Sequence, residues 1–424
     1  MPYQAALTIV APVRPGVAED LKSLLATMGD GVANASVIDF GALTGVHFAR
    51  LMVIDEDTDQ SGARLPANLV LLSDFDVSAA AHLAELVESA GEGIDRVFAH
   101  CEGYPGGEPT SRERLDYLER HVVKESARYV NTTGRTARQI RQEAELREAI
   151  EAFLDEDGRD WSESDPSEVR RAVRELVERD AALAWARQPA ERPGIGARLR
   201  EKVHLVAVPL LSLPLLPLAL LAAPVYALIL RRHERADESE HEKPDEERVR
   251  ELAALEDHVV QNPFTAVGRV KPSLFRRVTL LVILFYLDYA ARHIFNRGNL
   301  SGVKTIHFAR WVFIDDRRRM FFASNYDGSL ESYMDDFIDK VAWGLNLVFS
   351  NGVGYPRTRW LVFGGARDEL AFKNFLRLHQ VPTRVWYSAY PELTALNIRQ
   401  NERIRAGLHG DSDGDAERAW VQAL

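Results

Sequence analysis

Gly45-Val46-His47-Phe48-Ala49-Arg50-Leu51-Met52-Val53-Ile54-Asp55 returns in the second half of the chain as Thr305-Ile306-His307-Phe308-Ala309-Arg310-Trp311-Val312-Phe313-Ile314-Asp315. A shared His-Phe-Ala-Arg alone is within the reach of chance, but further matches follow in the same order. Ser73-Asp74-Phe75-Asp76 answers Ser324-Asn325-Tyr326-Asp327, and Gly103-Tyr104-Pro105 answers Gly354-Tyr355-Pro356. Thr136-Ala137-Arg138-Gln139-Ile140-Arg141-Gln142 answers Thr394-Ala395-Leu396-Asn397-Ile398-Arg399-Gln400. Upstream, Ala11-Pro12-Val13-Arg14-Pro15 resembles Gly268-Arg269-Val270-Lys271-Pro272. Collinear self-similarity of this kind is the mark of an internal duplication.

Each copy reads as the same series of elements. In the first, a strand over Ala5 to Val13 leads to a helix from about Val17 to Met28, with proline near its start, where a missing N–H does no harm. The His-Phe-Ala-Arg strand comes next, then a strand at Asn68 to Ser73, matched by Met320 to Ser324. A second helix is predicted over roughly Ala79 to Ala90 and Leu330 to Leu347. A last strand is predicted at Arg384 to Ser388, with a weaker counterpart at Arg128 to Val130. Along the repeated strand, His307, Ala309, Trp311 and Phe313 alternate with Phe308, Arg310, Val312 and Ile314, and both faces are largely apolar. That suits a sheet with helices on one face and a second sheet on the other.

Strand-helix-strand-strand-helix-strand is the ferredoxin-like order. Two such units facing each other resemble the dimeric α+β barrel superfamily, here fused into one chain over about residues 3–150 and 262–408. Dye-decolourising haem peroxidases, chlorite dismutase-like proteins and many small monooxygenases belong to it. The expected fold is therefore α+β: repeat one over 1–155, a helical insert over 156–257, repeat two over 258–408, and a tail over 409–424.

The composition sets outer limits. With 46% apolar and 27% charged residues the balance is that of a globular protein. A net charge of -11 opposes a nucleic-acid-binding surface. The single cysteine, Cys101, excludes an internal disulfide and a cysteine-based zinc site. The opening Met1-Pro2-Tyr3-Gln4 lacks the pattern of a secretory signal, so the first repeat is expected in the cytoplasm.

Within the insert, a charged helical segment at Ser167 to Gln188 precedes Leu205 to Leu230, 26 residues without a charge. As a straight helix that run would extend about 39 Å, enough for a ~30 Å hydrocarbon core. Pro209, Pro214, Pro217 and Pro224 argue against straightness. One crossing would also put the two repeats on opposite sides of the membrane, so either the repeats do not pair or the segment does not cross once. Arg198, Arg200 and Lys202 before the run, and Arg231, Arg232 and Arg235 after it, suit two cytoplasmic ends. The expectation is a re-entrant or interfacial proline-broken hairpin at the cytoplasmic face of the cell membrane, with a buried core hairpin as the alternative. Glu234 to Asp257 reads as an acidic linker and helix. Val278 to Leu287 is too short to span and reads as the first helix of repeat two, docked on the insert or on lipid.

Candidate chemistry centres on repeat two. His307 and its counterpart His47 carry imidazoles able to ligate haem or move protons, or they end a buried strand in both copies because both copies fold alike. Ser324-Asn325-Tyr326-Asp327-Gly328-Ser329 is the densest polar cluster, at a strand-to-helix junction. Its Asp327-Gly328 is similar to the end of the G-x-x-D-G motif of dye-decolourising peroxidases, whose aspartate is catalytic; helix capping is the plainer reading. The resemblance implies His307, Arg310, Asp327 and Asn325 as catalytic residues. Ser324, Tyr326, Trp311, Tyr355 and His47 would bind the ligand. Tyr104 and Tyr355, each after glycine, read first as turns, and Arg141 and Arg399 as buried ion pairs between the repeats. Two functions follow as expectations. One is a membrane-associated oxidoreductase or small-molecule-binding protein that takes a small apolar ligand, with haem a candidate, between the two units or under the strand-helix junction. The other is a non-enzymatic membrane-surface scaffold or lipid-handling accessory.

Overall fold

The computed structural model describes residues 4–29, 38–156, 161, 164–191, 193–256, 258–296, 298, 300–409 and 414–424. Met1 to Tyr3 and Asp257, which bound the opening segment and the insert in the sequence reading, lie outside these. The described chain is α+β, with antiparallel sheets and thirteen α-helices. Eight strands build the two main sheets: β1 (Ala5–Pro12), β2 (Val46–Ile54), β3 (Asn68–Phe75), β4 (Ala127–Val130), β5 (Gln261–Arg269), β6 (Ile306–Ile314), β7 (Arg319–Asp327) and β8 (Val385–Ser388).

The element order follows the sequence reading, but the last strand of each repeat crosses over. One sheet runs β1-β3-β2-β8 and the other β4-β6-β7-β5. Thus Tyr129 of the first repeat pairs with Ala309 of the second, and Tyr387 of the second pairs with Ala49 of the first. Each sheet is closed by a strand from the opposite repeat, so the repeats hold each other by backbone hydrogen bonds as well as by packing.

Helices cover the outer faces. In the first repeat α1 (Ala18–Gly29) and α2 (Ala79–Phe98) lay Leu21, Leu25, Leu86 and Ile94 against Leu7, Ile9, Leu51 and Leu71. In the second, α9 (Leu274–His293) and α10 (Leu330–Phe349) lay Leu280, Leu284 and Phe337 against Phe264, Trp311 and Phe322. Ser78 and Ser329 cap α2 and α10, accepting from the N–H of Ala81 and Ser332. Both helices run past the predicted end of the first copy, to Phe98 and Phe349, through a non-helical residue at the same position, Ala90 or Val341. The sheets' inner faces meet through Val10, Met52, Ile54, Val70 and Leu72 against Val312, Ile314, Phe321 and Ala323.

After each exchanged strand a helix returns across the sheets' end: α4 (Ala137–Glu156) and α12 (Ala395–Gly407), which pack on each other. The buried ion network there is not the expected one. Arg141 is exposed and Arg399 half-buried. Instead Glu143 of α4, fully buried, holds both Arg135 and Arg405 of the opposite repeat, because Arg141 lies on the outer face of α4 and Glu143 on the inner one. Burial pushes the Glu143 carboxyl up, and the two guanidiniums draw it back.

Short helices surround this frame: α3 (Ser111–Arg120) and α11 (Glu369–His379) beside the sheets, α8 (Glu246–Glu256) before β5, α5 (Pro166–Arg179) and α13 (Gly414–Val421) over α4 and α12. Two two-stranded ribbons complete it. The insert's apolar run is α6 (Ile195–Ser212), one 3-10 turn at Leu213–Leu215, and α7 (Leu216–Ala236). Together Ile195–Ala236 is long and apolar enough to cross a membrane, and none of its most apolar stretch is buried.

This segment corrects the expected hairpin and removes the buried-core alternative. The backbone stays right-handed helical through Ser212, Leu213, Leu215 and Leu216, so no reversal occurs. Pro214 and Pro217 sit in first-turn positions, where no helical hydrogen bond is lost, and Pro209 and Pro224 bend the helix without ending it. The run lies antiparallel to α9: Tyr289 and Tyr286 donate to Leu205 O and Ser212 Oγ at 3.0 and 3.1 Å, and Tyr226 bonds Thr279 at 3.2 Å. From Tyr286 to Thr279 is about 10 Å of helix, whereas Ser212 to Tyr226 is about 21 Å. Between those contacts residues 213–225 stand exposed throughout, so the run is an arch in the sense that it is held at both ends and uncovered between them.

Both feet of the arch stand on the same body. At one, Arg292 pairs with Glu201 at 3.3 Å and His204 Nδ1 meets His293 Nε2 at 2.8 Å. At the other, the buried Glu234 accepts from Trp360 N and Leu361 N at 3.0 and 2.8 Å. Those two residues hold positive φ of 59° and 60°, a conformation disfavoured for side chains of their size, so the carboxylate fixes a turn that would otherwise relax. Asp237 adds Lys271 at 2.6 Å and Arg276 at 2.9 Å.

Candidate functional site

The predicted residues gather at two places between the sheets, and several do not gather at all. The first place is a pair of brackets. His47 and His307 sit where the β2–β3 and β6–β7 registers shift, so each strand carries an extra residue and the two-residue alternation of faces fails there. His47 Nε2 lies 2.8 Å from Asp76 Oδ1, and His307 Nε2 lies 2.6 Å from Asp327 Oδ1. A carboxylate only accepts, so Nε2–H donates in both. The second carboxylate oxygens accept from Ala137 N and Ala395 N, each at 2.8 Å, at the starts of α4 and α12. Each aspartate thus ties the repeated strand to the N-terminus of the returning helix, where negative charge is favoured.

The bracket is closed to any ligand. His47 and His307 are buried, with Phe48, Phe308 and Tyr390 packed around them. With Nε2 protonated, His47 Nδ1 accepts from the Tyr390 hydroxyl at 2.9 Å. Both oxygens of Asp327 are taken, so it is not the free carboxylate that the peroxidase-like pattern implies. Helix capping in that segment falls to Ser329 instead.

The second place is a reciprocal pair of arginines. Arg50 crosses to the other sheet and donates to Phe264 O and Thr265 Oγ1, both at 3.0 Å, and to Ser324 O at 2.7 Å and Asn325 Oδ1 at 2.6 Å. Arg310 crosses the other way, donating to Leu7 O at 2.8 Å, Thr8 Oγ1 at 3.1 Å and Ser73 O at 3.2 Å, and pairing with Asp74 at 2.5 Å. The two sets correspond position for position, and their side-chain acceptors differ only in that asparagine in one repeat stands where aspartate stands in the other. Arg50 therefore has only neutral direct acceptors, and complete burial lowers its pKa to about 10, which leaves it charged near neutral pH.

Between these arginines, Phe48, Phe308, Asp74 and Asn325 lies a void of about 10 Å³. That is roughly the room for one water molecule. The residues present do not fit a haem or any small apolar ligand between the sheets. Among the described residues no group of three or more His, Cys, Asp or Glu could hold a metal ion. A wider cleft of about 250 Å³ at the other mouth of the sheets is lined by Asp55, Asp57, Arg269, Arg319 and His379 among others. Its charges answer one another, with Lys22 on Asp55, Arg269 near Asp57 and Arg319 on Asp315.

The remaining predicted residues lie elsewhere. Ser324, Tyr326 and Trp311 face the helices, because they alternate with the inward-facing positions of their strands. Ser324 Oγ bonds the Tyr333 hydroxyl at 2.7 Å, Tyr326 stacks on Tyr333 at 4.0 Å, and Trp311 packs on Phe322 at 4.9 Å. Tyr355 follows Gly354, whose φ of 81° makes the turn, and donates to Asn346 Oδ1 behind α10 at 2.8 Å. Tyr104 does the same to Asp95 at 2.5 Å in the first repeat. Asp74, Tyr390 and Glu234 were missed as site residues. The repeat alignment gives a signal for Asp74, opposite Asn325, but none for Tyr390 or Glu234, which fall outside the matched segments. No family model matches the chain, and no curated protein or solved structure matches it.

Proposed function

We propose that the chain is a non-enzymatic membrane-surface protein whose arch lies in one leaflet at the cytoplasmic face of the cell membrane. Its scaffold would be two fused ferredoxin-like repeats in a pseudo-dimeric α+β barrel. The carrying observation is the arch: a helical run apolar enough for a membrane, unburied, with both feet on one body. Because each repeat completes the other's sheet, the repeats share one side of any membrane, and an arch anchored twice on that side enters and leaves by the same face. Leu218, Leu221 and Leu228 stand 66%, 80% and 74% exposed, and burying such side chains stabilises by about 2 kcal/mol each. On α9, Val278, Val282 and Phe285 continue the apolar surface. Trp360 and Tyr286, aromatic with a polar edge and partly exposed beside the arch, suit the lipid–water boundary.

The test is flotation of the full chain with phosphatidylcholine vesicles. The wild type is expected to rise with the lipid and the variant Leu218→Glu/Leu221→Glu/Leu228→Glu to stay below, with its thermal transition unchanged. A wild type that stays below, or a triple variant that floats equally well, overturns the reading.

A further inference from the structure

The feet of the arch carry a charge pattern opposite to that of the whole chain. Arg198, Arg200 and Lys202 precede the uncharged run, and Arg232 and Arg235 follow it; all five are exposed, and among the described residues none is held in an ion pair. Most of the acidic residues nearest them are turned to other work, the exposed Glu238 beyond Arg235 excepted. Glu201 is on Arg292, Glu234 is buried in the turn at Trp360, and Asp237 is on Lys271 and Arg276. The acidic stretch that follows is drawn back onto the body, where Glu240 N donates to Gly354 O at 2.8 Å. Each foot is therefore locally basic although the chain carries -11 overall.

The positions matter as much as the sign. An arch bedded by its leucines in one leaflet brings the residues at its two feet to the headgroup level together. Arg231, whose guanidinium lies 5.3 Å from the Trp360 ring, marks that level at one foot. Long basic side chains there extend their charged ends outward while their stems stay on apolar surface. We propose that the two basic feet bind the headgroups of anionic phospholipids, so that the protein docks on negatively charged membrane rather than on lipid in general. This rests on the membrane-surface reading above. It also supplies what that reading lacks, a force able to hold a strongly acidic protein against an anionic surface.

The experiment compares phosphatidylcholine vesicles with vesicles containing about one-third phosphatidylglycerol, using the full chain and the variant Arg198→Gln/Arg200→Gln/Lys202→Gln/Arg232→Gln/Arg235→Gln. The wild type is expected to partition at least roughly tenfold more strongly onto the anionic vesicles. The gain should vanish near about 1 M salt, where the Debye length is about 3 Å. The variant should bind phosphatidylcholine as the wild type does and show no preference. Equal wild-type binding to both vesicles overturns the proposal and leaves the membrane-surface reading standing. Binding to neither overturns both, and a preference that survives in the variant overturns the assignment to these five residues.

Discussion

Between the sheets, the two arginines are buried and held from the opposite repeat; along the arch, apolar side chains stand in the open with nothing over them. The two regions also differ in ancestry. The crossed arginines and histidine brackets occur twice, once per repeat, as expected of groups that any copy of this unit needs in order to assemble. The arch occurs once and has no counterpart. A feature that both copies keep speaks for assembly, and a feature that only one place carries speaks for what the assembly is used for. On that ground the arch, not the histidines, carries the proposed function.

The largest effect should come from the place where the crossed arginines depart from symmetry. Arg310→Met strips a buried carboxylate, Asp74, of its partner, and breaking such a pair costs about 3–5 kcal/mol. Both variants orphan a threonine hydroxyl and two carbonyls, but Arg50→Met leaves Asn325 Oδ1, which keeps Trp386 Nε1 at 3.1 Å, where Arg310→Met leaves a bare carboxylate, so Arg50→Met should cost less by about 1–3 kcal/mol. Chemical denaturation of both variants measures the gap. An Arg50→Met as damaging as Arg310→Met would break the claim that the asparagine-for-aspartate difference matters.

Next come the brackets themselves. Asp327→Ala orphans His307 Nε2–H and the Ala395 N–H, and Asp76→Ala orphans the corresponding two donors. Two buried groups left unpaired cost about 2–6 kcal/mol at about 1–3 kcal/mol each. The two variants should agree within about 1 kcal/mol by the same denaturation measurement. If either aspartate instead served catalysis, its loss would leave stability nearly intact.

A smaller effect sharpens the comparison inside the duplication. His82 stacks on Phe75 at 3.9 Å as Tyr333 stacks on Tyr326 at 4.0 Å. Tyr333 bonds Ser324, whereas both nitrogens of His82 and the hydroxyl of the corresponding Ser73 have no partner among the described residues. Burial lowers the His82 pKa from 6.5 to about 4. The unfolded chain therefore binds more protons across that window, and stability falls as pH drops from about 6.5 toward 4, by about 2 kcal/mol at pH 5. His82→Tyr, which installs the second repeat's solution in the first, should remove this share of the pH dependence. It should also add about 1 kcal/mol at neutral pH by reaching Ser73. Thermal melts of both proteins between pH 7 and 5 test it, and parallel pH slopes would refute it.

How far the sequence was legible follows the same division. The strand and helix order, a helix cap within Ser324 to Ser329 and the glycine turns before Tyr104 and Tyr355 were readable, because each depends on residues close together in the chain. The exchange of β4 and β8 was not, since Arg128-Tyr129-Val130 and Arg384 to Ser388 carry a strand's composition without naming a partner. Nor was the fate of His307: a period of two places it opposite Arg310, and the register shift at that residue turns it toward Asp327. The arch's apolar character and lack of charge were plain, but its seat depends on Tyr286 and Tyr289 of α9 reaching Ser212 and Leu205 and on Tyr226 reaching Thr279, which is a tertiary fact.

The smallest effect on stability should be found where the effect on behaviour is largest. Leu221→Gln replaces a side chain that is 80% exposed, so the folded and unfolded states lose nearly the same hydration term. The expected change in unfolding free energy is within about 0.5 kcal/mol, as for other surface positions. The same substitution at Leu72, 3% exposed in the inter-sheet core, buries an amide among Val70, Val312 and Phe321 and should cost about 3 kcal/mol or more. If Leu221→Gln were as destabilising as Leu72→Gln, the arch would be covered in solution by a part of the protein or by a second copy. Its exposure would then no longer argue for a membrane. A silent melt combined with weakened vesicle binding is the outcome the comparison requires, because only a surface held ready for a partner is both apolar and dispensable to the fold.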